Sequence, residues 1–162
     1  MFMALPAVAQ CTAALLAKLD FSTATLAHSN LGGVGPDTGD PTMLASHVGT
    51  TAGGTPLDLL VTAEPEYVTG NPLMNGMRDP PDGFIKVNVQ GNTASTVYLR
   101  FVDGSQLPVT VERFVISLYD FDEGKKGKGV EYMTAGGFDK YEVSADTQIE
   151  VTNATDGGTT FT

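Results

Sequence analysis

Alternating apolar and polar positions recur along most of the chain. In Leu57-Asp58-Leu59-Leu60-Val61-Thr62 the side chains of Leu57, Leu59 and Val61 fall on one side, the period of two expected of a strand with a buried face. Residues 19–28 and 43–48 read the same way, the second joined to 57–62 through Gly49-Thr50-Thr51-Ala52-Gly53-Gly54. Residues 84–89 and 95–102 also alternate and predict an antiparallel hairpin turning at Gln90-Gly91-Asn92-Thr93. Residues 108–119 predict the strand around which the others are arranged. Phe114, Ile116 and Leu118 share one side of it, and Val115, Ser117 and Tyr119 the other. Both sides are largely apolar, so a central strand covered on two faces is expected. Residues 130–134 with 138–143, and 147–152 with 159–161, predict two closing pairs around Ala135-Gly136-Gly137 and Asp156-Gly157-Gly158. Many short strands at close spacing predict an all-β fold, a two-sheet antiparallel β-sandwich of jelly-roll type over residues 19–162.

Three stretches fall outside this pattern. Residues 1–18 form an apolar segment, expected to be a signal remnant, a membrane anchor, or a short helix that turns Leu15 and Leu16 towards the domain or a partner. The loop 30–41 is built almost wholly of turn formers and holds Asp37 and Asp40. Carboxylates beside glycines can ligate a metal or cap the backbone of their own turn. The proline-rich loop 64–83 has no sustained period, and a loop of that length in a compact domain is often functional. Tyr67, Leu73, Met74 and Met77 supply its apolar contact surface, or else plug one end of the core.

Composition narrows the partners. The 162 residues suit one domain. A net charge of −10 repels nucleic acid phosphates and anionic membranes, and favours cations or basic protein surfaces. No nucleic acid partner is expected, and membrane contact only through residues 1–19. Cys11 is the one cysteine, so no internal disulfide forms, and a zinc site is disfavoured with only His28 and His47 to assist.

Chemistry concentrates after the 108–119 strand. Asp120, Asp122 and Glu123 bring three carboxylates together, with Asp120 and Asp122 on one side about 6.5–7 Å apart along an extended chain. A hard cation such as calcium suits oxygen ligands on irregular backbone. The competing reading pairs these carboxylates with Lys125, Lys126 and Lys128 across the turn. There is no G-x-S-x-G elbow, no phosphate loop ending in Gly-Lys-Ser/Thr, and no tryptophan to stack on sugar.

LDFSTATLAHSNLGGVGPDTGDP and PVTVERFVISLYDFDEGKKGKGVEYMTAGGFDKYEV together resemble a β-rich domain recurring in proteins of marine algae. The strand with its Asp-x-Asp is similar to jelly-roll modules of bacterial surface proteins. The resemblance implies a non-catalytic binding or structural module, sometimes with calcium held by Asp120 and Asp122. Together these readings lead us to expect a non-enzymatic structural or assembly subunit, with other protein subunits as partners, outside the cell or in an organelle lumen such as the plastid. The alternative expectation is a calcium-dependent glycan-binding module at a cell surface.

Overall fold

The computed structural model describes residues 17–77, 83–111, 113–119, 129–155 and 157–162, in two compact units that divide between Val115 and Ile116. The protein is mostly β, with two antiparallel sheets, neither of which closes on itself. Among the described residues the only helical pieces are 3₁₀ turns at Phe21–Thr23, Leu31–Gly33 and Pro72–Met74.

The first unit carries a five-stranded sheet of β1 (Lys18–Leu19), β2 (Thr25–Ser29), β3 (Thr42–Thr50), β4 (Pro56–Ala63) and β5 (Val97–Val102). β1 and β2 both pair with β3, and the order continues through β4 to β5. The β3–β4 hairpin is the one its sequence predicts. Met43 stands opposite Val61 and Ala45 opposite Leu59, and all four are buried. Leu57, Leu59 and Val61 do share the core face, burying it against Leu31, Val48 and Tyr67. Burying a side chain of this size is worth about 1.5–3 kcal/mol.

A bulge in β3 is what brings Val48 inward. The register slips between Ala45 and Gly49, and His47 takes a left-handed φ of 61° there. Its N–H is held by the Asp58 carboxylate across the hairpin at 2.8 Å. Strict alternation from Ala45 would have sent the imidazole of His47 into the core; the bulge places Val48 there and leaves His47 exposed.

The loop between β3 and β4 and the turn that follows β5 have one design. Thr51 donates its N–H to the Thr55 carbonyl, Gly54 donates back to Thr51, and the Thr51 hydroxyl accepts the Thr55 N–H at 3.0 Å. After β5, Asp103 and Leu107 repeat this, Gln106 donates to the Asp103 carbonyl, and the Asp103 carboxylate accepts from Ser105 and Leu107. The fourth residue is left-handed in both, Gly54 at 85° and Gln106 at 61°.

Of the strands expected up to residue 119, two are absent among the described residues and one is broken. Residues 84–89 do not pair with β5; their backbone is taken up by the loop before them, through Gly76 and Lys86 and through Gln90 and Val68. β5 pairs instead with β4. The segment 113–119 forms no strand, and its side chains are exposed rather than covered on two faces, Val115 at 75 % and Tyr119 at 68 %. The first predicted strand, 19–28, is broken by the Phe21–Thr23 turn, which the Asp20 carboxylate caps by accepting the Ser22 N–H.

The second unit holds β6 (Met133–Ala135), β7 (Val151–Asn153) and β8 (Thr159–Phe161), with β8 between the other two. β7 and β8 pair as expected, but β6 pairs with β8, and residues 138–143 form no strand. Their rings serve another purpose. Tyr141 meets Phe161 edge-to-face at 5.2 Å and Phe138 at 6.0 Å, an aromatic cluster that stands in for a buried core.

Candidate interaction surface

Of the residues singled out in the sequence, those of the 64–77 loop are brought together best. Tyr67 is buried, so it plugs the core rather than offering contact surface. Its ring lies directly over Gly32, where a Cβ would come within 2.6 Å of Tyr67 Cδ1. Gly32 also has a φ of 66°, so two independent constraints favour glycine there. The phenol hydroxyl donates to Asn75 Oδ1 and to the Asn88 carbonyl, at 2.9 and 2.7 Å. Burial raises the Tyr67 pKa, against the lowering effect of the hydrogen bonds to Asn75 and Thr69.

Asn75 and Asn88 extend this anchor into a scaffold. Asn75 Oδ1 also accepts the Asn88 N–H at 2.7 Å. Asn88 Oδ1 accepts the Thr69 hydroxyl and the Asn71 N–H at 2.8 and 2.9 Å. Gly76 closes the loop against Lys86, and its φ of 109° brings it so near Leu26 that a Cβ would lie 2.5 Å from Leu26 Cδ2.

On that scaffold stands the Pro72–Met74 turn. Asn71 caps it by accepting the Leu73 N–H at 3.1 Å, and Pro72 occupies the first helical position, where no N–H is needed. The turn lifts Leu73 and Met74 into solvent, 73 % and 53 % exposed. Val68, Phe84 and Val89 on the stitched segments are exposed as well. Met77 is half-buried and packs against the core. The result is apolar side chains on a hydrogen-bonded backbone, a surface on which little conformational freedom is left to lose when something docks.

Asp37 and Asp40 have local tasks. The Asp37 carboxylate accepts the Ser29 N–H at 2.7 Å and lies 3.7 Å from His28 Nδ1. Asp40 contributes its carbonyl, which accepts from His28 Nε2, Asn30 Nδ2 and the Thr42 N–H. These bonds close the 30–41 loop upon β2 and border an open depression of about 470 Å³ lined by His28, Thr38, Asp40 and Gln106. No group of three or more His, Cys, Asp or Glu side chains converges on one point among the described residues. Asp120, Asp122 and Glu123, and Leu15 and Leu16 of the apolar segment, lie outside the described residues.

Sequence reasoning missed Asn75, Asn88 and Gly32. Nothing local marks them, because their partners lie 8 to 21 residues away for the asparagines and on another loop for the glycine. The Asn71-Pro72 cap was the one signal available. Comparison with family models, with curated proteins and with solved structures finds no match to this chain. Among the described residues no helix is long and apolar enough to cross a membrane.

Proposed function

We propose that the chain is a non-enzymatic structural or assembly subunit, a jelly-roll-like β-sandwich that works through protein–protein contacts of its loops and N-terminal segment. The observation that carries the reading is the Pro72–Met74 turn, which holds Leu73 and Met74 in solvent on a backbone fixed by Asn71, Asn75 and Asn88. Leucine and methionine at such exposure gain free energy only when covered, and the ordering cost of the loop is already met in the isolated chain. A partner with a concave apolar patch fits this turn, and a basic rim on it would match the net charge of −10.

The test is the double substitution Leu73→Asp and Met74→Asp. Both side chains are exposed, so thermal stability is expected to stay within about 0.5 kcal/mol. Association with the chains that purify with the native protein is expected to be lost. Association that survives the double substitution would overturn the reading.

A further inference from the structure

The outer edge of β5 is occupied at one end and open at the other. Val109 donates its N–H to the Phe101 carbonyl at 2.9 Å, and Val102 bridges Pro108. Phe101 therefore turns its carbonyl outward. Because backbone groups alternate along a strand, Val97 and Leu99 turn theirs outward too, while Tyr98 and Arg100 face β4. Among the described residues the returning chain makes no further backbone bond to β5 after Val109: the Arg113 carbonyl accepts from the Ala17 N–H, and Phe114 returns only its ring, edge-to-face on Phe101 at 5.1 Å. Among the described residues no strand pairs with the outward groups of Val97 and Leu99. Leu99 stands opposite buried Val61 on the core face, yet it is 48 % exposed. An edge of this kind is a template for another strand.

We propose that its occupant is β5 of a second copy of this chain, added antiparallel about a two-fold axis with Tyr98 opposite Tyr98. The register follows from what is already in place. Setting Leu99 opposite itself would bring the second copy's Val97, a residue of β5, against Phe101, where Val109 sits; with Tyr98 at the axis the residue opposite Phe101 is Ser95, which precedes β5 and is free to diverge. Setting Val97 opposite itself would waste Leu99 on Ser95. With Tyr98 at the axis, Val97 stands opposite Leu99 in both copies, their outward N–H and C=O groups bond to one another, and each half-exposed Leu99 is covered by a valine.

Charge favours the same partner. The Tyr98 hydroxyl donates to the Glu64 carboxylate. Arg100 is exposed on the same side of the strand and has no ion pair among the described residues. In the two-fold register Arg100 is the diagonal neighbour of the second copy's Tyr98, about 7–8 Å away between backbones and within reach of a long side chain. Each guanidinium then meets the other copy's Glu64, twice by symmetry. The chain is strongly acidic, so a local match of this kind is what allows two copies to approach. This contact is separate from the loop-mediated assembly above and does not rest on it.

Sedimentation of the full chain over a concentration series tests the pairing. The native chain is expected to show a reversible monomer–dimer equilibrium, with the amides of Val97 and Leu99 exchanging more slowly as concentration rises. Arg100→Glu is expected to weaken the dimer by about tenfold or more. Combining it with Glu64→Arg is expected to restore it. A chain that is monomeric at every concentration overturns the pairing, as does a dimer indifferent to Arg100→Glu. Either result leaves the Leu73/Met74 reading standing, since that is judged on unlike chains.

Discussion

Tyr67 lies over Gly32 so closely that the glycine's missing Cβ is what admits the ring, 2.6 Å being the distance a Cβ would have from Tyr67 Cδ1. This contact joins the 30–41 loop to the 64–77 loop, which carries Leu73 and Met74. Gly32→Ala combines a clash with a left-handed φ, and is expected to cost roughly 2–4 kcal/mol. Tyr67→Phe keeps the ring but removes the donor to Asn75 and Asn88, at about 1–3 kcal/mol. Urea unfolding of the two variants checks both figures, with Gly32→Ala expected to be the more harmful.

The two loops of like design predict a stabilising change. Gly54 fills the left-handed position of one loop without strain, while Gln106 fills the same position of the other with a φ of 61°. Gln106→Gly is expected to stabilise the chain by about 1 kcal/mol, raising Tm by about 2–4 °C. Asp103→Ala is expected to act in the opposite direction by about 1 kcal/mol, since the carboxylate accepts two N–H groups of its own turn. Scanning calorimetry reads both.

Sequence pattern and structure agree where a strand's neighbour is close in the chain. Leu57, Leu59 and Val61 meet Met43 and Ala45 across a short glycine turn, so local alternation was enough to place them. Residues 84–89 alternate equally well, yet Asn88 is claimed by Asn75 and Thr69, and Lys86 by Gly76. Alternation shows that a segment can form a ladder, and the availability of a neighbour decides whether it does. The same reason applies to 113–119, whose apolar positions on both sides suggested a central strand. Of the site, Leu73 and Met74 were legible as apolar residues on a proline-rich loop, and the Asn75–Asn88 scaffold beneath them was not.

The β3 bulge predicts an asymmetric response at its two residues. Asp58→Ala removes the acceptor of the His47 N–H and is expected to cost about 1–2 kcal/mol. His47→Gly relieves the left-handed backbone and loses only an exposed imidazole, so it is expected to be neutral or stabilising by up to about 1 kcal/mol. Chemical denaturation of the two single variants separates these effects.

Alkaline pH should act through Tyr67. Burial raises its folded pKa above that of the unfolded phenol. The stabilisation from keeping it neutral is therefore complete below the unfolded value of about 10 and is lost as pH rises through the raised folded value. Tyr98 shifts the same way through its hydrogen bond to Glu64, but it is exposed and contributes less. Stability measured above about pH 10 is expected to fall less steeply in Tyr67→Phe than in the native chain, with ultraviolet titration showing one fewer late-ionising tyrosine.

Amide hydrogen exchange on the isolated chain tests the platform most directly. If Asn75 and Asn88 hold the loop before any partner arrives, the N–H groups of Gly76, Asn88 and Gln90 will exchange on the timescale of the β5 amides bonded to β4. Exchange of those three at the rate of an unstructured peptide would contradict the claim that Leu73 and Met74 are presented on a preformed surface.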